Sequence, residues 1–362
     1  MISVIERKMV RMVRLFPGKC RKIRALILAL CLFLGAGFMA PSSAYAVTDQ
    51  AALPVPQVLA PAAALLDADT GVFLYEKDAA TKYYPASITK IMTALIVLER
   101  CNLDEVVTFS KKATTNLESG AVTVYLTEGD RLTVRDCLYA LLLRSANEVA
   151  NGLAEHVAGS VEAFAELMNK KAAELGCTGT HFVNPNGLND PQHYTTAHDM
   201  ALIGKAAFAN ETLRTIDTTP SYNLPPTKNN PGGFLLKLSN KILNPSSANR
   251  YEYAIGAKTG YTSKAGNTLV TCARKDGRTL ICVILKSTVS LGQYADTKNL
   301  CNYGFSLKPA AIGPGAQNAA AAAPVADPSL SQAVAGQNIN SGKPAEKDTT
   351  GRVQLKGPGD EK

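Results

Sequence analysis

The chain has 362 residues, of which 46% are hydrophobic, so it can bury the core of one large domain or of two ordinary ones. Its formal net charge of +8 arises from 38 Lys+Arg and 30 Asp+Glu, but the first 46 residues hold eight of the former and one of the latter. The rest of the chain has a net charge of only +1, which argues against nucleic-acid binding and against electrostatic attraction to a membrane surface.

The first 46 residues have the pattern of an export signal. A basic segment at residues 7–24 precedes an apolar, uncharged run at residues 26–40, and Ala44-Tyr45-Ala46 supplies a small-residue cleavage site. We therefore predict a signal peptide at residues 1–46, cleaved before Val47, and an extracytoplasmic location. The apolar run is short for a membrane span, which makes an uncleaved anchor the less favoured alternative.

A Pro/Ala-rich lead-in at residues 47–61 precedes a folded region that we place at residues 62–308. Periodicity and turn signals predict a hairpin followed by five helices, with strands at 62–67 and 72–75 and helices at 88–100, 134–143, 148–158, 161–175 and 197–209. Thr196 and Asp199 indicate a capping box at the start of the last of these helices. Residues 220–233 are turn-rich and polar, which is typical of a loop.

Strands return near the end of the folded region. We predict three strands, at residues 253–259, 268–273 and 279–285, and a closing helix at residues 290–307. Asp276-Gly277 is a strong two-residue turn signal, and a hairpin around it would place Thr271 opposite Cys282. Cys272 would then point to the other face of the sheet, which disfavours a disulfide between Cys272 and Cys282.

This order of elements indicates an α/β (α+β) fold, in which both chain ends build one antiparallel sheet beside an all-helical lobe. A cleft between sheet and lobe is the expected site. Beyond residue 308 the composition shifts to Ala, Pro, Gly, Gln and Ser, so residues 309–362 are predicted to be a disordered tail. Six cysteines follow the signal, with no C-x-x-C pattern: Cys101, Cys137, Cys177, Cys272, Cys282 and Cys301. We expect buried free thiols and no zinc site, and pairing of some of them in an oxidising compartment is the alternative.

Ser87 and Lys90 form the first candidate catalytic pair. Residues three apart share one face of a helix, and Ser87 lies at the N-terminus of the helix predicted at residues 88–100. A serine hydroxyl needs a base to become a nucleophile, and a lysine kept neutral by burial and by neighbouring cations can be that base. Without partners, the same spacing describes an ordinary helix start with a solvated lysine.

Ser145-Ala146-Asn147 is the second candidate motif, and it falls between two predicted helices. The serine could relay a proton to a leaving amine, and Asn147 could hold a substrate amide and bind Lys90. An ordinary helix cap is the plainer interpretation of the motif alone. Ser247-Ala248-Asn249 repeats the pattern, but it lies in a Pro/Ser/Asn-rich connector, so Ser145 is preferred over Ser247.

Lys258-Thr259-Gly260 is the third candidate motif, at the end of the strand predicted at residues 253–259. Lys258 and Thr259 could bind a substrate carboxylate, and the charge of Lys258 would lower the pKa of Lys90. Gly260 would let a ligand approach the backbone closely. The backbone N–H groups of Ser87 and Tyr261 could form an oxyanion hole. The plainer interpretation is a strand that ends at a turn glycine.

The joint occurrence of S-x-x-K, S-x-N and K-T-G in this order is typical of penicillin-binding proteins and class A β-lactamases. The chain resembles most closely the low-molecular-mass penicillin-binding proteins that are serine-type D-Ala-D-Ala carboxypeptidases. The resemblance covers residues 62–307 and rests on residues 85–94, 144–148, 181–188, 194–200, 256–262 and 265–266. It implies a serine β-lactamase/transpeptidase-like fold and a catalytic domain at residues 62–308.

The resemblance also implies the substrate and the roles of the site residues. Removal of the terminal D-Ala from peptidoglycan stem pentapeptides would proceed through an acyl-enzyme, with β-lactams as covalent inhibitors and with no cofactor or metal. Ser87 would be the nucleophile, Lys90 its base and Ser145 the proton relay. The substrate would be bound by Lys258 and Thr259 at its carboxylate, by Asn147 at its amide, and by Gly260. The backbone N–H groups of Ser87 and Tyr261 would form the oxyanion hole. Many relatives carry a β-rich second domain and an amphipathic helix, and neither is visible after Lys308, so membrane association stays open.

Three other functions remain as alternatives. A β-lactamase of the same fold needs a deacylating carboxylate, and Glu166-Leu167-Met168-Asn169 comes nearest, within a periodic helix and at the wrong spacing. A non-catalytic β-lactam sensor or wall-binding module would keep the same residues. A His-dependent hydrolase would draw on the chain's four histidines, His156, His181, His193 and His198, and a metal site would draw on His181, His193 and His198.

Overall fold

The computed structural model describes residues 53–308 except 116 and 119. The predicted signal peptide, the first part of the lead-in and the predicted tail lie outside the described residues. Within the described part, no helix combines the length and the apolar character that crossing a membrane requires.

The central sheet has five antiparallel strands in the order β2-β1-β9-β8-β7. Their bounds are β1 Ala62–Asp67, β2 Phe73–Lys77, β7 Ala254–Thr262, β8 Gly266–Lys275 and β9 Arg278–Ser287. The prediction that the two ends of the folded region close one sheet is confirmed, because β1 pairs with β9 along its whole length. Within the described residues, β7 is an edge strand.

The β8–β9 hairpin has the predicted register. Lys275 pairs with Arg278 across the two-residue turn, and Thr271 faces Cys282 while Cys272 faces Ile281. The six cysteines of the described residues are free thiols, and Cys101 is the partly exposed one among them.

The helices agree with the predicted ones but differ in their ends. They are α1 Lys90–Arg100, α2 Lys111–Thr115, α3 Val134–Tyr139, α4 Asn147–Ala158, α5 Val161–Glu174, α6 Ala197–Ala209, α7 Glu211–Thr218 and α8 Gly292–Ser306. Two segments are not α-helical as predicted. Residues Ala86–Thr89 form a 3-10 turn before α1, and Ala140–Arg144 form a π-helical turn after α3.

The prediction of a loop at residues 220–233 is wrong at its start. Ser221–Leu224 (β5) pairs with Phe234–Lys237 (β6), and Leu224 and Leu236 are buried. Four-residue strands of mixed polarity carry too little periodicity to be recognised, and tertiary burial decides them. The short strands β3 (Val106–Thr108) and β4 (Arg131–Thr133) and the helices α2 and α7 were not predicted for the same reason.

The predicted capping box at α6 is half correct. Thr196 Oγ1 accepts from the backbone N–H of Asp199 at 3.0 Å, as expected of an N-cap. The Asp199 carboxylate instead accepts from the Gly179 N–H and the Thr180 hydroxyl, at 2.8 and 2.7 Å. It therefore ties a preceding loop to the helix.

Helices cover both faces of the sheet. A side chain at Gly204 of α6 would strike Ile281, and one at Gly304 of α8 would strike Leu280. Because neighbouring residues of a strand point to opposite faces, α6 and α8 pack on opposite sides. The first eight residues of α1 are buried, which makes it the central helix and holds Lys90 at its start inside the protein.

Candidate active site

The three predicted motifs meet at the junction between β7 and the helices. Gly260 of β7 packs directly on the 3-10 turn that carries Ser87. A Cβ at Gly260 would lie 2.8 Å from the Ser87 nitrogen and 2.5 Å from Thr268 Oγ1. The glycine is thus required for the sheet to touch the nucleophile turn, and its role in the approach of a ligand stays a prediction.

A loop around residue 187 holds the other side of that turn. Gly187 has φ +87°, and a Cβ there would lie 2.0 Å from the Ala86 carbonyl oxygen. The Thr93 hydroxyl of α1 donates to the Pro185 carbonyl at 2.6 Å. The 3-10 turn therefore lies between two backbone segments that approach it as closely as sterics allow, which fixes Ser87 in place.

Lys90 is fully buried and makes three hydrogen bonds. Its Nζ lies 3.0 Å from Ser87 Oγ, 2.9 Å from Asn147 Oδ1 and 2.5 Å from the Asn186 carbonyl oxygen. Burial holds the pKa of Lys90 well below its usual range, and the Lys258 charge lowers it further, while Glu148 opposes both. The predicted proximity of Lys90 to Ser87 and to Asn147 is confirmed by these distances.

The second motif follows the π-helical turn. Ser145 has φ 65°, a left-handed conformation that is uncommon for a serine. Its Oγ accepts a hydrogen bond from Lys258 Nζ at 3.0 Å. Asn147 donates through Nδ2 to the Val122 carbonyl at 3.0 Å, so its Oδ1 faces Lys90. Ser247, in contrast, accepts locally from the Asn249 N–H.

Lys258 links the sheet to the second motif. It is buried on β7, and burial lowers its pKa to about 8 although Asp217 opposes this shift. Burial also raises the pKa of Asp217 to about 7. Thr259 is half-buried, and its carbonyl accepts from Lys258 Nζ at 2.9 Å. Tyr261 is 67% exposed and lies on β7, the edge strand of the sheet within the described residues.

Comparison with known proteins decides the family. The model of the peptidase S11 family, described as D-alanyl-D-alanine carboxypeptidase, matches residues 48–288. The chain belongs to this family. The chain is 32% identical over 249 residues to D-alanyl-D-alanine carboxypeptidase DacF of Bacillus subtilis, over 68% of this chain and 62% of that protein. Identity to D-alanyl-D-alanine carboxypeptidase DacB2 of Mycobacterium tuberculosis is 35% over 264 residues, 72% of this chain and 87% of the relative.

Solved structures of the D-alanyl-D-alanine carboxypeptidase family share the fold. The Streptomyces K15 DD-transpeptidase matches with a TM-score of 0.63 and 33% identity, over 70% of this chain and all of that one. A D-alanyl-D-alanine carboxypeptidase of Mycobacterium tuberculosis matches with a TM-score of 0.64 and 34% identity, over 71% and 95% of the two chains. The predicted fold class is therefore confirmed.

The sequence alone did not assign a role to four buried residues at the site of this chain. They contact or electrostatically influence the predicted residues, and they are Glu148, Asn186, His193 and Asp217. Glu148 and Asn186 belong to the segments used for the family resemblance and His193 adjoins one of them, which was the available signal. Nothing in the sequence around Asp217 marks it.

The histidines do not form the alternative metal site. His181 Nδ1 contacts the Gln192 carbonyl, His193 Nε2 contacts Thr89 Oγ1, and His198 Nδ1 contacts Glu76 Oε1. Three separate partners hold the three rings in place. Glu166 is exposed on α5, as expected from its periodic helix.

Proposed function

We propose that this chain is a serine-type D-Ala-D-Ala carboxypeptidase that removes the terminal D-Ala of peptidoglycan stem pentapeptides through an acyl-enzyme on Ser87. The observation that carries the proposal is the 3.0 Å contact between Ser87 Oγ and the buried Nζ of Lys90. The family of the chain and the enzymes to which it is similar support the same reaction.

The contacts of Lys90 favour one direction of proton transfer. A neutral amine has two N–H donors and one lone pair. The carbonyl oxygens of Asn147 and Asn186 can only accept, so they take the two N–H groups. Within the described residues, the Ser87 hydroxyl is the remaining hydrogen-bond partner of Lys90 Nζ, and it can donate to the lone pair. Neutral Lys90 is therefore oriented to remove the proton of Ser87 as the oxygen attacks the carbonyl carbon.

The remaining roles follow from the positions around this pair. The N–H groups of Ser87 and Tyr261 are the proposed oxyanion hole. Lys258 and Thr259 bind the terminal carboxylate, and the open edge of β7 accepts the peptide backbone as an added strand. Asn147 binds the substrate amide in addition to Lys90.

Ser145 is the proposed donor to the departing D-Ala amine. Its Oγ accepts from Lys258 Nζ at 3.0 Å, so its own proton is free to point away from Lys258. Ser145 gives its proton to the amine and receives the proton that Lys90 removed from Ser87, which leaves Lys90 neutral again. Water then attacks the ester, with Lys90 as base and Ser87 as leaving group.

A test of these roles is D-Ala release from a D-Ala-D-Ala pentapeptide. Ser87→Ala should reduce release to background, and Ser145→Ala should reduce kcat by about 100-fold or more, as for loss of a general acid. Ser247→Ala removes the serine of the second S-A-N motif and should leave the rate unchanged. Activity of the Ser87→Ala protein at the wild-type level would refute the proposal.

The related K15 enzyme is a DD-transpeptidase, so the same assay should include a glycine acceptor to separate hydrolysis from transfer. A β-lactamase would turn over nitrocefin rapidly, and a sensor would form a stable adduct without releasing D-Ala. The exposed position of Glu166 supports neither deacylation by that residue nor the β-lactamase alternative.

We also propose the chain organisation predicted above. Residues 62–308 are the catalytic domain, and the family is typically extracytoplasmic. Removal of residues 1–46 would leave Val47 as the first residue of the exported enzyme. N-terminal sequencing of protein from the producing cells tests this, and an N-terminus upstream of the apolar run would contradict it.

A further inference from the structure

Three side chains of types that bind metal ions converge at the C-terminal ends of α1 and α4. Lys90 and Asn147 lie at the opposite, N-terminal ends of these helices. Cys101 directly follows α1, Glu105 precedes β3, and His156 lies in the last turn of α4. The Cys101 Sγ, a carboxylate oxygen of Glu105 and a ring nitrogen of His156 all lie within 4.8 Å of one another. None of the three takes part in the proposed reaction.

We propose that Cys101, Glu105 and His156 bind Zn²⁺, with water as the fourth ligand, contrary to the expectation from the cysteine spacing alone. Thiolate, imidazole and carboxylate are the ligands that Zn²⁺ takes in proteins, and in a tetrahedral site their donor atoms are about 3.3 to 3.6 Å apart. The His156 Nε2 and Glu105 Oε2 atoms are already 3.0 Å apart. A movement of about 1 Å, within reach of rotation about the Cys101 side-chain bond, completes the site.

The hydrogen bonds around Glu105 leave one oxygen for the ion. Its Oε1 accepts from the Asn102 backbone N–H at 2.7 Å and from Asn102 Nδ2 at 3.1 Å. Within the described residues, the hydrogen-bond partner of its Oε2 is the His156 ring. Metal binding exchanges this contact for two bonds to Zn²⁺, with the ring proton of His156 moving to Nδ1 and the thiol proton of Cys101 released to solvent.

The thiol is open to an incoming ion. Cys101 is partly exposed, whereas the other five cysteines of the described residues are buried.

The site would join two helices that carry the chemistry at their opposite ends. Lys90 begins α1 and Asn147 begins α4, and the helices are 11 and 12 residues long, so the ion sits about 15 Å or more from the reacting atoms. Zn²⁺ at this position stabilises the helical lobe and takes no part in the acyl transfer.

Cobalt substitution tests the site independently of the enzyme reaction. Untagged protein, first stripped with a chelator, is titrated with Co²⁺ and monitored for the thiolate-to-cobalt charge-transfer band. We expect one equivalent to bind with tetrahedral visible bands, displaced by Zn²⁺. Cys101→Ser should lose the charge-transfer band. His156→Gln should lose the tetrahedral spectrum.

His198→Gln is the matched control, because His198 forms the other histidine–glutamate pair, with Glu76 at 2.8 Å. It should bind Co²⁺ as the wild type does. Zn²⁺ should raise the Tm of the wild type and of His198→Gln but not of Cys101→Ser. A wild-type protein without the charge-transfer band, or one whose band survives in Cys101→Ser, would overturn the proposal, since the Glu105–His156 contact would then be an ordinary ion pair.

Discussion

Three buried titratable groups in series, Lys90, Lys258 and Asp217, set the electrostatics of the site. Burial lowers the pKa of both lysines, Lys258 lowers that of Lys90 further, and Asp217 raises that of Lys258. The two lysines thereby acquire different roles. Lys90 acts as a base only when neutral, whereas Lys258 binds a carboxylate only when charged.

The pH profile of acylation should therefore be bell-shaped. The rate with a fluorescent penicillin should rise as Lys90 loses its proton and fall above about pH 8 as Lys258 loses its charge. In Lys258→Gln the acid limb should move to higher pH, because the cation that lowers the pKa of Lys90 is gone, and the alkaline limb should disappear. An acid limb at the same pH in both proteins would show that the two lysines are not coupled.

Asp217→Asn is the complementary change. Asp217 raises the pKa of Lys258, so its neutralisation should move the alkaline limb to lower pH and leave Ser87 in place. Stopped-flow acylation between pH 5 and 10 measures the shift. An unchanged alkaline limb would assign that limb to a group other than Lys258.

His193 is a buried histidine that connects the nucleophile turn to the loop beyond it. The Val183 N–H donates to Nδ1 at 3.1 Å, so the ring proton lies on Nε2 and is donated to Thr89 Oγ1 at 2.9 Å. Burial lowers the pKa of His193 to about 3. The unfolded chain binds a proton near pH 6.5, so this group contributes stability above that pH and loses it as the pH falls toward 3.

We expect the free energy of unfolding of the wild type to fall by up to about 1.4 kcal/mol per pH unit between pH 6 and 4 from this one group. His193→Gln can keep a donor and an acceptor but does not titrate, so its slope should be smaller. Urea unfolding at several pH values makes the comparison. Equal slopes would mean that His193 is protonated in the folded protein.

At the scale of elements, the sequence predicts the sheet and the long helices but not all of the contacts that make the site. S-x-x-K and K-T-G are short linear patterns, so Ser87, Lys90 and Lys258 could be found directly. The Asn186 carbonyl lies 96 residues from Lys90 in the chain, and any residue type could supply it. The 3-10 turn that carries Ser87 and the π-helical turn before Ser145 also escape prediction, because a helical pattern does not distinguish them from α-helix.

The contact between β7 and the 3-10 turn gives a test at this scale. Gly260→Ala places a methyl group 2.8 Å from the Ser87 nitrogen, so strand and turn must separate. We expect a loss of about 100-fold in kcat/KM for D-Ala release, because small displacements of a nucleophile have costs of this size. Gly232→Ala, which would meet nothing within 4 Å, is the control and should retain wild-type activity.

At the scale of the molecule, the start and the end of the folded region form one sheet, and the helical segment between them in the chain packs against it. β1 and β9 join the ends, and β7 at the edge carries Lys258 toward the turn of Ser87 and Lys90. The three motifs are far apart in the chain and meet only when this arrangement is complete. The site therefore depends on the whole domain, and its preorganisation comes from helix α1 being buried at the centre.

The central claim is that Ser87 becomes acylated with Lys90 as its base. The most direct measurement is intact-mass analysis of the protein after incubation with benzylpenicillin, followed by mapping of the modified peptide. The wild type should gain one acyl group on Ser87, and Ser87→Ala and Lys90→Ala should remain unmodified over the same time. An adduct on another residue, or acylation of Lys90→Ala at the wild-type rate, would contradict the account.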